Sequence, residues 1–291
     1  MPLNAKEIRR RIKGVKSTQQ ITKAMEMVAA AKVRRAQARV TAARPYAHAI
    51  QEVFAAVTAS LPKGEIESAL LERREVKQVA IVVVTSDKGL AGAYNSNILR
   101  AAVGRIREWQ AKGASVSLVL VGNKAVAFFR HWNLPVLSRY TSLPAIPTFT
   151  EAKMIVEEVT QFYRERRVDH VDFMFTRFHT MLRYTPETEA LLPARLPEGR
   201  GTGFHAETIF EPSAQEMIEQ LIPRYLETVL YQGLLESTAS ELASRMAAMG
   251  AASKNAGEMI GHLTLVLNKA RQGAITQEIL EVVGGAEALK A

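Results

Sequence analysis

Leu242–Ala270 reads LASRMAAMGAASKNAGEMIGHLTLVLNKA. Stepping through it by fours and threes picks out Leu242, Met246, Met249, Ser253, Ala256, Ile260, Leu263, Leu267 and Ala270. All but Ser253 are apolar, over four heptads, the pattern of one strand of a coiled coil rather than of a short globular helix. The register extends back through Leu235 and Leu221, and no proline follows Pro223. Ser213 and Glu216, just after Pro212, form a Ser-x-x-Glu capping box that predicts the helix start. Running to about Val283, the helix would be roughly 105 Å long. A helix of that length needs a partner.

The partner lies at the other end of the chain. Residues 4–58 carry a four-three walk through Ile8, Ile12, Val15, Gln19, Thr22, Glu26, Ala29, Val33, Ala36, Val40, Ala43, Ala47, Ile50, Phe54 and Val57. Its ends are apolar and its middle is polar; around residues 21–28 the apolar side chains leave the register, at Ile21, Met25, Met27 and Val28. Pro45 is expected to bend the helix without ending it, and Leu61-Pro62-Lys63-Gly64 to stop it.

Between the two helices the period changes. Val79–Thr85, Val116–Val121 and Val168–Phe178 read as buried strands, and Pro135–Ser138 as a short one. Asn97–Trp109, Ala125–Trp132 and Glu151–Arg166 read as helices. Residues 183–209, with Pro186, Pro193, Pro197 and three glycines, read as an irregular connection. The fold class is therefore α/β: a long antiparallel two-helix coiled coil of the N- and C-terminal helices, with an inserted Rossmann-like α/β domain. The expected divisions are 1–60, 76–210 and 211–291. The C-terminal helix is the longer, so its tip should project by about 20–30 Å. That tip is apolar on several faces, through Leu263, Leu265, Val266, Leu267, Ile275, Ile279, Val282 and Val283, and so must be buried in something else.

Net charge is +9, and it is localised: residues 1–45 hold 12 Lys and Arg against Glu7 and Glu26, which leaves −1 for the remainder. Either an acidic partner for the first helix or a solvated polar face follows. The absence of cysteine rules out disulfides, thiolate metal sites and thiol switching. The first residues lack a signal core, and no apolar run approaches a membrane span. The loop Thr85–Asn95 and Gly122-Asn-Lys124 follow strands, as phosphate loops do, but lack both glycine-motif spacings and read as tight turns. The histidines are scattered, with His170 and His179 flanking a strand, and no pair of carboxylates stands out. No catalytic residues, cofactor or metal are expected. The bases at Arg9, Arg10, Arg11, Lys13 and Lys16 are interleaved with the apolar stripe, unlike a DNA-reading basic helix. Gly250, Gly257, Gly261 and Gly273 each cost about 1 kcal/mol in a helix interior, which suggests that a slim helix is required.

Ile21–Ala30 (ITKAMEMVAA), with Arg44-Pro-Tyr46, closely resembles the N-terminal signature of the gamma subunits of F-type ATP synthases. Glu241–Asn255 and NKARQGAITQE at Asn268–Glu278 resemble that family's C-terminal signature, and Ser86–Asn95 and Tyr231-Gln-Gly233 match it too. The resemblance spans essentially the whole chain. It implies a central rotor shaft, not itself catalytic, turning inside a ring of alpha and beta subunits. The α/β domain would sit on the membrane c-ring beside the epsilon subunit, at the cytoplasmic face of a bacterial membrane, without inserting into it. By resemblance Lys23, Met25, Arg245, Arg271, Gln272, Thr276, Gln277 and Glu278 meet the beta subunits. Matching Met25 to Arg245 across the helix pair would set Ile8 opposite about His262 and Val57 opposite about Ser213. Ala91 stands where the family often has cysteine, Ala274 and Ile279 replace a common serine and leucine, and the cysteine-bearing insert of chloroplast members is absent.

Overall fold

A computed structural model describes residues 5–60, 68–194 and 214–288. The expected stop at residues 61–64 and the cap at Ser213 lie outside them. Ten elements follow in order: α1 (Ala5–Ser60), β1 (Gln78–Val84), α2 (Tyr94–Ala111), β2 (Ser115–Val121), α3 (Asn123–Phe129), β3 (Val136–Tyr140), α4 (Phe149–Arg164), β4 (His170–Thr180), β5 (Arg183–Leu192) and α5 (Ala214–Ala288). Contacts divide the chain into two compact units, residues 30–244 and residues 1–29 with 245–291.

The larger unit is built on a five-stranded sheet of order β3-β2-β1-β4-β5. β1, an unbroken Val/Ile run, is central and pairs in parallel with both β2 and β4. It has no polar face because both faces are covered. On one face Ile98, Ala102, Ile106 and Trp109 of α2 pack on Val79, Ile81, Val83, Leu118 and Met174. On the other, Ile155, Val159 and Tyr163 of α4 and Ile218, Ile222, Leu226, Leu230 and Leu234 of α5 cover Ala80, Val82, Phe173 and Phe175. α4 begins two residues before its first expected residue because Thr148 caps it. The Thr148 backbone N–H donates to the Glu151 carboxylate at 2.7 Å, a capping box.

One expectation fails in this unit. Arg183–Leu192 is not irregular but an antiparallel strand, β5, paired with β4 along its length. Pro186 read as a strand breaker, yet β5 is the sheet's edge and Pro186 lies opposite Thr176. The N–H of Thr176 is bonded on its other side, to Ser237, so this is a pair whose backbone groups point away from each other. A proline there removes no ladder bond. The walk along α1 holds: Ala29, Val33, Ala36, Val40, Ala47, Ile50 and Val57 are all buried. For α5 the coiled-coil reading is incomplete. Its first thirty residues belong to the sheet unit, and residues 233–237 and 239–244 are buried without a break, polar ones included.

In the smaller unit, α1 and α5 run antiparallel. Gln19 Nε2 donates to the Ser253 carbonyl at 3.4 Å, and Glu26 lies against Gly250. Gln19 also faces Gly257. These partners stand about one turn further along α5 than the matching of Met25 to Arg245 requires, so that register is corrected by about that much. The slim-helix reading finds a tight approach at one of its four glycines, Gly257, since the approach at Gly250 is ordinary van der Waals contact. A Cβ on Gly257 would meet Gln19 Nε2 at 3.0 Å and one on Gly250 would meet Glu26 at 3.4 Å, whereas Gly261 and Gly273 have nothing within 4 Å. Gly261→Ala should therefore raise stability by about 0.5–1 kcal/mol in urea denaturation of the full chain. Gly257→Ala should gain less, because Gln19 must move.

Candidate functional site

The eight residues expected to carry function all lie in the helix-pair unit. They form two bands, separated along α5 by about 40 Å at 1.5 Å per residue. In the first band the Lys23 side chain is exposed, with Nζ 3.1 Å from Glu26 Oε2. Met25 and Arg245 are half-buried. Exposed Ile21, Met27 and Val28 flank Lys23, so three of the four apolar side chains that left the register are left uncovered. Gln19, Gln20, Lys23, Glu26, Gly250 and Lys254 line a groove of about 640 Å³, open because Gly250 has no side chain.

The second band lies on the last stretch of α5, which has no neighbour along it among the described residues. Burial recurs along α5 as far as Ala270, and from Arg271 to Gly285 every residue is exposed. The overhang from Arg271 to Ala288 is about 27 Å long, within the length expected. Arg271, Gln272, Thr276, Gln277 and Glu278 are exposed there. Thr276 Oγ1 donates to the Gln272 carbonyl at 3.0 Å, and Gln277 Nε2 donates to Glu281 at 3.0 Å. At 100° per residue Arg271 and Glu278 share a side, Gln272 and Thr276 lie about 100–140° round from Arg271 in one direction, and Gln277 about 120° round in the other. Polar groups thus ring the helix instead of forming a pocket. Ile275, Ile279, Leu280, Val282 and Val283 are exposed between and beyond them, Val282 by 72 %. Such a surface suits an enclosing partner.

In the sheet unit the glycine loops prove to be locks. Gly122 has φ +92°, and a Cβ there would come within 2.3 Å of the Thr85 carbonyl oxygen. Thr85 Oγ1 donates to the Val121 carbonyl at 3.0 Å and accepts from the Ala125 N–H at 2.9 Å. The Asn123 N–H donates to Asp87 at 2.9 Å. The groups that would cradle a phosphate are spent on each other.

Two clusters escaped the sequence reading. Asp172 on β4 is fully buried and accepts from Arg105 Nε at 2.7 Å, Arg105 Nη2 at 3.2 Å, Trp109 Nε1 at 2.6 Å and His170 Nε2 at 3.0 Å. Burial would raise its pKa, but the bonds from His170, Arg105 and Trp109 outweigh it and hold the carboxyl at about 2. With its lone pairs occupied, this carboxylate ties α2 to β4 rather than acting as an acid or base. Arg177, also on β4, bridges Glu187 and Glu189 of β5 and approaches Glu236 of α5. Burial, against the pull of Arg177 and reinforced by the neighbouring acids, raises the Glu189 pKa. Each cluster joins groups from separate elements, Arg105 and Trp109 of α2 to His170 and Asp172 of β4, and Arg177 of β4 to β5 and α5, so no local motif announces them.

Among known proteins, the family model described as ATP synthase matches residues 4–289. The gamma chain of Desulforamulus reducens ATP synthase is 45% identical over 287 residues, covering 99% of both chains. The chain belongs to the ATP synthase gamma-chain family. The gamma chain of Acaryochloris marina is 43% identical over 314 residues, covering 98% of this chain and 99% of its own. That longer alignment reflects residues of the cyanobacterial chain with no counterpart here. A chain of the Tetrahymena thermophila mitochondrial ATP synthase central stalk and c-ring superposes with a TM-score of 0.60 at 26% identity, covering 80% of this chain and 99% of its own. A chain of the Euglena gracilis mitochondrial enzyme shares the fold with a TM-score of 0.68 at 19% identity, over 98% and 94% of the two chains. A gamma chain of this fold is a central-stalk subunit of ATP synthase.

Proposed function

We propose that this chain is the rotor shaft of an F-type ATP synthase and does no chemistry itself. The helix pair turns inside a hexamer of alpha and beta subunits, and the sheet unit rides on a membrane c-ring beside an epsilon subunit. Rotation driven by ion flow through the ring forces each beta subunit in turn through its nucleotide-binding states. The observation that carries the reading is the α5 overhang, exposed on every side from Arg271 to Gly285 and apolar on several. The hydrophobic effect is non-directional, so an apolar sleeve can hold this tip at any rotary angle. The polar band around it meets a similar environment at each angle. The charge excess of residues 1–45 favours acidic loops on the beta subunits, and exposed pairs of this kind are too weak individually to lock the shaft. Among the described residues no helix is long and apolar enough to cross a membrane, which accords with a peripheral position at the cytoplasmic face.

The eight residues are assigned as torque contacts with beta: Lys23, Met25 and Arg245 at the lower band, and Arg271, Gln272, Thr276, Gln277 and Glu278 at the upper. Coexpression with matched alpha and beta subunits, with a bead on the sheet unit, tests the reading. Copurification and ATP-driven rotation are expected; a complex that assembles but does not rotate the bead would sink the shaft assignment. In that complex Arg271→Ala with Gln272→Ala should weaken the hold of the ring on the shaft by about 1–3 kcal/mol, since it removes a charge-assisted contact. The decline should appear as a lower stall torque, with the isolated chain's stability unchanged.

A further inference from the structure

Within residues 30–244, α5 meets the sheet along a polar seam that satisfies backbone groups of β4. β1 pairs with β4 only as far as Val83 and Met174, while β4 continues to Thr180. Beyond Met174 one edge of β4 has lost its neighbouring strand, and α5 supplies the missing partners from its side chains. The Thr176 N–H donates to Ser237 Oγ at 3.0 Å, Ser240 Oγ donates to the Thr176 carbonyl at 3.3 Å, and the Phe178 N–H donates to Glu236 at 3.3 Å. One turn further on, Ser244 Oγ donates to the Ala91 carbonyl, in the loop after β1, at 2.6 Å. Glu236, Ser237, Ser240 and Ser244 are all at most 3 % exposed. Buried serine and threonine on a helix ordinarily return their hydroxyl to the carbonyl four residues back, as Thr228 and Thr238 do on this same helix. Ser240 and Ser244 instead reach out to the sheet.

Glu236, Ser240 and Ser244 are four residues apart and Ser237 is three before Ser240, so the row lies on one face of α5. Turning or sliding α5 against the sheet would break them together, and each buried group would then lack a partner. An apolar contact of the same area has no preferred direction and opposes rotation only through side-chain interlock, such as that of Gly233 with Phe173, whereas each hydrogen bond of the seam is directional. Arg177 strengthens the seam by holding β4, β5 and Glu236 of α5 through one guanidinium.

We propose that Glu236, Ser237, Ser240 and Ser244 form the torque joint by which the α/β unit grips α5, which carries the twist onward as one continuous helix. The proposal rests on the rotor reading. These are positioning residues, and they touch neither nucleotide nor ring.

The test measures angular fluctuation of a bead fixed to the sheet unit of the assembled complex with the hexamer immobilised. Ser240→Ala with Ser244→Ala should raise the thermal angular variance on the order of twofold, because two of the directional bonds are lost. ATP turnover by the hexamer should stay at the wild-type rate. The chain has no cysteine, so Ala91→Cys with Ser244→Cys creates a pair free of competing thiols. Oxidation of that pair should bring the variance to or below the wild-type value, and reduction should release it. Wild-type variance in the double alanine variant, or indifference to the disulfide, would overturn the joint while leaving the rotor reading intact. A wild-type complex without ATP-driven rotation would overturn both.

Discussion

Asp172→Ala is expected to destabilise the full chain by about 3–5 kcal/mol, the range for breaking a buried charge pair by removing one partner. Arg105 would be left partly buried beside Trp109 without its carboxylate, and Trp109 Nε1 and His170 Nε2 would each lose a partner. Urea denaturation at neutral pH measures the loss, and Asp172→Asn should recover only part of it. The same group sets an acid limit. Its pKa is lowered from 3.8 to about 2 in the folded chain, where the bonds from His170, Arg105 and Trp109 exceed the cost of burial. The folded state thus binds the proton more weakly than the unfolded one does, and stability falls as pH falls. The contribution, about 2 kcal/mol, is present in full above pH 3.8 and lost as pH drops through about 2. Asp172→Asn should lack this component, so the wild-type and variant stability curves should converge in acid. Parallel curves down to pH 2 would refute the assignment.

Gly233→Val should be nearly as damaging, for a steric reason. A Cβ at Gly233 would lie 2.3 Å from Phe173 Cε1 and 2.6 Å from its Cζ, and the ring is held in place by stacking on Phe175 at 4.9 Å. Neither ring has room to retreat, since both are in the core beneath α5. Overpacking of this kind costs about 1–3 kcal/mol for added methylenes, and a branched side chain driven into an aromatic ring falls at or above the top of that range. Gly233→Ala should lie lower but still destabilise, despite alanine's better helix propensity. The contrast with Gly261→Ala, which has open space and should stabilise, separates glycine kept for close approach from glycine that is merely tolerated. Thermal unfolding of the three variants side by side measures it. A neutral Gly233→Ala would mean that α5 does not press on the sheet as described.

Much of the architecture is legible in local pattern. The period of three to four in residues 4–58 and 242–270, and the Val/Ile run of β1, each report a face that must be covered. Burial at Val33, Val40 and Ile50 falls where the walk along α1 places it. The overhang of α5 follows from comparing two helix lengths. β5 was missed because the proline that argues against a strand is harmless at a sheet edge, and whether a strand is an edge depends on its neighbours. The helix register was missed by about one turn, because a repeat of small residues fits several registers and side chains such as Gln19 choose among them.

The surface proposed to carry function divides in the same way. Its membership in the helix pair, its charge and the apolar overhang are properties of contiguous residues, and they can be read before any fold is known. Asp172, Arg177 and the serines of α5 carry no such signature. A lone aspartate in an apolar strand, or serines every few residues in an alanine-rich helix, are common patterns with many meanings. Asp172 acquires its role when α2 brings Arg105 and Trp109 onto β4, and Arg177 when β5 and α5 bring their glutamates to it. Ser237 and Ser240 acquire theirs when β4 outruns β1 and exposes backbone groups that a buried edge cannot leave unpaired. Periodicity records which face of an element is buried. Which distant groups meet there is decided by the packing of elements whose order in the sheet differs from their order in the chain.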